Sequence, residues 1–176
     1  MLDKMSENND QIAQVARMLI VDDVADNREV LARRFERRGY ATVQAEGGAQ
    51  ALRLIEAGEF DIVLLDVMMP EVDGFEVLAR VRETQSAIEL PVVLVTALAE
   101  SRDVVRGLEL GANDYITKPV DFAIALARVE TQVGRSRAEM ALVRSNRALE
   151  QKVSSCTRPF AAPKPRTARR PTSSPT

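Results

Sequence analysis

Two kinds of hydrophobic pattern alternate along the chain. Unbroken apolar runs at Met18-Leu19-Ile20-Val21, Ile62-Val63-Leu64-Leu65 and Val92-Val93-Leu94-Val95 read as strands buried on both faces, as in a parallel sheet covered by helices. Pro91 stands at the first position of the third run, where proline is tolerated. Weaker strand patterns cover Ala41 to Ala45 and Asn113 to Thr117. Between them the apolar positions fall at helical spacing. Val30, Leu31 and Phe35 follow the cap-type pair Asp26-Asn27 and run to Gly39. Ala51, Leu52 and Ile55 follow Gly47-Gly48 and end near Gly58. Phe75, Val77, Leu78 and Val81 follow the Asp73-Gly74 turn. Val104, Val105 and Leu108 lie between Ser101, a cap, and Gly111. Strand and helix thus alternate five times with connections too long for hairpins, which predicts an α/β doubly wound parallel sheet of five strands.

After Asp121, a capping residue, helix formers run past Gly134 to about Val153. At 1.5 Å per residue this predicts a helix of about 50 Å. Leu126, Val129, Val133, Met140 and Val143 keep a spacing of three to four, interrupted by Ser136. Leu142, Asn146, Leu149 and Val153 continue it in a slipped register. The first part can face the core. Beyond about Arg135 no domain is expected to cover the helix, and the later seam suits a coiled coil in which Asn146 fixes the register. The competing reading is a frayed amphipathic helix.

Composition adds boundaries and exclusions. The 176 residues suit one domain with extensions, and 45% hydrophobic content is ordinary for a core. The four sections expected are a loose polar leader at 1–16, a folded domain at 17–133, a helical extension at 134–153 and a tail at 154–176. The tail holds five of the eight prolines and the cations Arg158, Lys164, Arg166, Arg169 and Arg170 without an acid. It therefore carries +5, which leaves −7 on residues 1–153 out of the net −2. A tail of this composition is expected to be disordered. The acidic folded part is a poor nucleic-acid binder. No run approaches the ~20 apolar residues that span a bilayer, so no membrane contact is expected. A single cysteine, Cys156, fits a cytoplasmic location. Histidine is absent, which removes His-based catalysis and His metal ligands.

The strand ends carry matched chemistry. Asp22 and Asp23 close the first strand, Asp66 the third, Thr96 the fourth and Lys118 the fifth. Right-handed crossovers bring all these carboxyl ends to one edge of the sheet, where α/β folds bind ligands. Each has a plainer reading as a turn acid, a strand-end threonine or a solvated lysine. Together, three carboxylates in one cleft repel each other, and a hard divalent cation such as Mg²⁺, or Mn²⁺, resolves the repulsion. With an ammonium and a hydroxyl beside it, such a cleft suits a phosphoryl group, and Asp66 can act as the nucleophile.

These residues together resemble the bacterial response-regulator receiver domain over about residues 17–133. The long helix is similar to connectors leading to diguanylate cyclase-type outputs. The resemblance implies a flavodoxin-like sheet of order 2-1-3-4-5 and a cis Lys118–Pro119 peptide. It makes Asp66 the phosphoacceptor, and Asp22, Asp23, Asp66 and the Met68 carbonyl the metal ligands. Thr96 becomes the switch hydroxyl and Lys118 the phosphoryl partner, with Tyr115 as an aromatic switch and small Ala97 leaving room for the phosphoryl group. Met68 and Leu98, two residues past Asp66 and Thr96, cannot orient a water, so slow self-dephosphorylation is expected.

The expected function is a phosphorylation-dependent receiver rather than an enzyme. It takes its phosphoryl group from a histidine kinase or phosphotransfer protein, and phosphorylation favours a homodimer or docking to an unknown output protein. No DNA-binding module, cyclase motif or kinase motif is legible in the sequence. The alternative is a constitutive dimerisation or scaffold module with a receiver fold. An aspartate-nucleophile phosphohydrolase would need a substrate pocket or cap domain that the sequence does not suggest.

Overall fold

The computed structural model describes residues 15–97 and 101–156, with side chains described for 15–97 and 103–152. The order is β1 (Arg17–Val21), α1 (Ala25–Glu36), β2 (Ala41–Ala45), α2 (Gly48–Ala57), β3 (Ile62–Asp66), α3 (Gly74–Thr84), β4 (Val92–Thr96), α4 (Ser101–Glu109), β5 (Asp114–Thr117) and α5 (Phe122–Cys156). All strand pairs are parallel, in the order β2-β1-β3-β4-β5. The expected doubly wound sheet is present. Residues 1–14, residues 157–176 and Leu98 lie outside the described residues, and α5 continues through Cys156, past the expected start of the tail at 154.

The period-2 geometry of strands divides the apolar runs between two cores. Leu19, Val21, Val63, Leu65, Val92 and Leu94 pack with Ala51 and Ile55 of α2 and with Phe75, Leu78 and Val81 of α3. Their neighbours Met18, Ile20, Ile62, Leu64, Val93 and Val95 pack on the other face with Leu31 and Phe35 of α1 and with Ala125, Val129 and Val133 of α5. This is why the three runs at Met18–Val21, Ile62–Leu65 and Val92–Val95 are apolar at every position. Each fully buried aliphatic side chain contributes roughly 1.5–3 kcal/mol by leaving water, so truncating Leu64, which is almost fully enclosed, should cost about 2–5 kcal/mol.

Helix ends follow local chemistry, with one difference from the sequence reading. Asp73 caps α3 by accepting from the Glu76 N–H at 2.8 Å, and Asp121 accepts from Ala123 and Ile124 at the start of α5. At α1, however, the N-cap is Val24, and Asp26 lies within the first turn. The Asp22 carboxylate takes the Val24 N–H at 2.8 Å, a turn that precedes the helix, and Val24 itself makes no side-chain cap bond.

At the opposite edge of the sheet Arg82 ties three segments together. Its guanidinium donates to the carbonyls of Gly111 at 2.8 Å and Leu90 at 3.0 Å and to Asn113 Oδ1 at 3.1 Å. Gly111 has φ of +93°, the left-handed region that glycine enters without strain.

The lower part of α5 is held more extensively than its pattern suggests. Ser136 is buried and donates to the Ile88 carbonyl at 2.5 Å, and Arg137 pairs with Asp61 at 3.2 Å. The polar interruption in the apolar stripe is therefore an anchor, and cover extends past Arg135. One compact unit runs through Leu142, and the chain from Val143 forms a second. Within α5, Leu142, Val143 and Leu149 are exposed. Among the described residues no helix is long and apolar enough to cross a membrane.

Candidate functional site

The carboxyl ends of β1, β3 and β5 bring Asp22, Asp66 and Lys118 together. Asp22 and Asp66 are buried, Asp23 is exposed, and one carboxylate oxygen of each of the three acids lies within 4.8 Å of the others. Lys118 Nζ donates to Asp66 Oδ2 at 2.5 Å and to Asp22 Oδ2 at 3.1 Å. Burying one carboxylate is expensive and burying two side by side more so, and the shared ammonium offsets part of that cost.

Burial pushes the Asp66 carboxyl above the usual carboxylate range, although the Lys118 hydrogen bond and the Met68 N–H oppose the rise. Burial lowers the Lys118 ammonium, but its bonds to Asp66 and Asp22 outweigh this and the net shift is upward. Lys118 thus keeps its ammonium beside Asp66, whose two oxygens take the Lys118 ammonium and the Met68 N–H.

The segment after β3 is shaped around Asp66. The Met68 N–H donates to Asp66 Oδ1 at 3.1 Å, and the Met68 side chain is exposed. A γ-turn follows, in which Val72 N–H donates to the Pro70 carbonyl at 2.8 Å and Glu71 takes a φ of +66°. The chain then returns so closely that a Cβ on Gly74 would lie 2.3 Å from the Asp66 carbonyl oxygen and 2.8 Å from Val67 Cα. No side chain larger than hydrogen fits there without moving the backbone that carries Asp66.

Thr96 is buried at the end of β4, and its carbonyl accepts from the Lys118 N–H at 2.8 Å. Ala97, next to it, is exposed. Lys118–Pro119 is cis, as expected. Tyr115 is half-buried against the core beside Leu94, its register partner, with the Arg128 guanidinium 5.4 Å from its ring centre. The sequence reading placed Tyr115 in a switching role and did not find the group that covers it.

Two further residues touch the acid pair. Arg28 Nη1 donates to the Asp22 carbonyl at 2.7 Å, and Asn27 Nδ2 spans the Asp22 carboxylate at 3.4 and 3.3 Å. The sequence suggests only cap chemistry for Asn27 and no role for Arg28. The available signal was their position, one helical turn after a strand that ends in two acids.

All donors in the cluster are oxygens and all three side chains are carboxylates, which fits Mg²⁺ or Mn²⁺ and not a softer metal.

Comparison with known proteins places the chain in a family. The family profile of the response regulator receiver domain matches residues 18–130. The transcriptional regulatory protein PcoR of Escherichia coli is 39% identical over 127 residues, covering 72% of this chain and 55% of PcoR. The response regulator PleD of Caulobacter vibrioides is 40% identical over 116 residues, covering 66% of this chain and 26% of PleD. The match thus spans about half of PcoR and about a quarter of PleD. Among solved structures, the receiver domain of the Francisella response regulator 1452 superposes with a TM-score of 0.65 at 31% identity, covering 69% of this chain and 98% of that one. The response regulator TrrA of Thermotoga maritima, solved in complex with Mg²⁺ and BeF, gives 0.61 at 30% identity, covering 67% and 99%. The chain belongs to the response-regulator receiver family.

Proposed function

We propose that the protein is switched by phosphorylation of Asp66, with the phosphoryl group supplied by a histidine kinase or a phosphotransfer protein. The observation that carries this reading is the lysine shared by two buried carboxylates at the sheet edge. Lys118 bonds Asp66 and Asp22 together, so the nucleophile and a cation for the incoming group are already in place.

In the transfer, an Asp66 carboxylate oxygen attacks phosphorus. The bond from phosphorus to the donor's imidazole nitrogen breaks, and that nitrogen keeps the electron pair. Asp22, Asp23 and Asp66, with the Met68 carbonyl, would hold Mg²⁺, which supplies charge neutralisation for the phosphoryl oxygens. Lys118 remains near Asp66 and can turn its ammonium to the new phosphoryl group. The Thr96 hydroxyl is the nearby group that can donate to a further oxygen. The positioning of Asp66 by the Met68 N–H and by the close return of Gly74 limits the motion needed for attack.

The outcome is a population shift between two packings. Movement of Thr96 toward the phosphoryl group opens space that Tyr115 can enter, which changes the surface formed by α4, β5 and α5. That change favours a homodimer or docking to an output protein.

The test is labelling with acetyl phosphate and Mg²⁺. The wild type should gain one acid-stable, hydroxylamine-labile phosphoryl group, and Asp66→Asn should gain none. Equal labelling of the two would remove Asp66 as the acceptor.

A further inference from the structure

Adjacent carboxylates at a strand end do not automatically serve one site, because successive side chains of an extended chain point to opposite faces. Asp22 and Asp23 need a fixed bend between them. The last sheet bond in this segment is Asp22 N–H to the Ala45 carbonyl, at 3.3 Å. The Asp22 carbonyl instead accepts from half-buried Arg28 at 2.7 Å. Asp22 Oδ1 receives the Val24 N–H at 2.8 Å, which folds the next two residues back into a side-chain-capped turn. The Asp22 carbonyl lies in the same peptide plane as the Asp23 N–H. The guanidinium therefore sets the plane from which the Asp23 side chain departs, and it does so from α1, a helix anchored in the core by Leu31, Ala32 and Phe35.

We infer that Arg28 is a positioning residue for the divalent metal, clamping the Asp22–Asp23 peptide to α1 so that the two carboxylates converge with Asp66. This rests on the reading of Asp22, Asp23 and Asp66 as the metal ligands. Arg28 has two opposite effects on a cation. Its positive charge repels the ion, and its hydrogen bond orders the carboxylates. The guanidinium is partly open to solvent, where salt screens charge, whereas a charge-assisted bond of 2.7 Å is short and directional. Ordering prevails. Asn27, with longer contacts of 3.3 and 3.4 Å to the same carboxylate, is the lesser contributor.

The test measures Mg²⁺ affinity by isothermal titration on the full chain without phosphodonor, alongside thermal unfolding in EDTA. Arg28→Met keeps much of the stem and removes the donors and the charge. Arg28→Lys keeps the charge and loses the fork. Positioning predicts a loss of about tenfold or more in affinity for Arg28→Met, the scale typical of groups that orient metal ligands, and a smaller but measurable loss for Arg28→Lys. Tighter binding by Arg28→Met with unchanged binding by Arg28→Lys would mean the charge alone matters and would overturn the inference. Affinities within about twofold of wild type in both variants, whatever their melting temperatures, would also overturn it. If Arg28→Met does not fold, Arg28→Lys carries the test by the same criterion. Asp23→Asn separates the two levels of the argument. Saturable binding by wild type but not by Asp23→Asn upholds the metal site independently of Arg28, and no saturable binding by wild type removes both.

Discussion

Lys118 Nζ lies 2.5 Å from Asp66 Oδ2, and the same ammonium reaches Asp22 at 3.1 Å. Two carboxylates from different strands thus share one cation. Lys118→Met should leave both buried acids facing each other without it. The expected cost in EDTA is on the order of 2 kcal/mol, below the usual value for a broken buried pair because the lysine is partly open to water. Because Mg²⁺ can take over the neutralising role, the deficit should shrink when it is added. Urea unfolding of wild type and variant, with and without Mg²⁺, checks this; an equal deficit in both conditions would count against a shared role.

The pH dependence follows from the raised Asp66 carboxyl. Its folded value lies above the ordinary 3.8, so between the two values the folded state binds more protons than the unfolded state. The contribution of this group is therefore fully present below the ordinary value, declines as pH rises from there through the raised value, and is absent and flat above it. Lys118 is shifted upward from 10.5, so its contribution is fully present in this range and is lost only in alkali. In EDTA, Asp66→Asn should exceed the wild type in stability near neutral pH, with the gap closing toward acid. Urea midpoints of both proteins across the acid-to-neutral range measure the gap, and a gap that widens toward acid would reverse the sign argued here.

The sheet and most of its chemistry were legible because each relied on local sequence. Four-residue apolar runs bounded by turn residues and rich in β-branched side chains read as doubly buried strands, and a group immediately after such a run lies at the sheet edge. Asp22, Asp66 and Thr96 follow such runs, whereas Lys118 follows the weaker pattern of Asn113 to Thr117. Side-chain contacts were less legible. The place of Arg28 in the first turns after a strand ending in two acids hints at contact with them but does not say that its guanidinium takes the Asp22 carbonyl, and Ser136 reads as a break in an apolar stripe until Ile88, distant in sequence, is seen beside it. The start of α1 is not legible from composition either: Asp26-Asn27 has cap chemistry, yet the helix already begins at Ala25 with Val24 at the N-cap.

Loss of the phosphoryl group requires a water aligned opposite the departing Asp66 oxygen. Met68 stands two residues past Asp66, with an exposed apolar side chain and its backbone bound to Asp66. It offers no donor or acceptor to orient that water. Met68→Asn supplies both and should speed self-dephosphorylation by about tenfold, the equivalent of roughly 1.4 kcal/mol in the barrier. Phosphate release from labelled protein gives the rate, and a decay no faster than wild type would discount the role of this position.

The proposed output through α5 turns on the point where one stripe hands over to another. Val133 and Ser136 are buried and Met140 is partly covered, whereas Leu142 and Leu149 are exposed. Leu142, Asn146 and Leu149 keep the spacing of a coiled-coil seam, and an asparagine in such a seam is satisfied by the same residue of a second copy. Phosphorylation should favour that dimer. A ~100-fold shift needs only about 2.7 kcal/mol of coupling, within reach of a charge-assisted bond and a repacked ring. Truncation after Val133 would remove the seam but also the Ser136 and Arg137 anchors, so it should lower stability as well as dimerisation. Truncation after Ala141 keeps both anchors and removes the seam together with the residues that follow it. It should therefore retain the melting temperature and Asp66 labelling while losing the dimer. Sedimentation of the full chain and the Ala141 truncation, with and without beryllofluoride, distinguishes the outcomes. A dimer present equally without beryllofluoride favours a constitutive scaffold, and a monomer throughout leaves partner docking as the output.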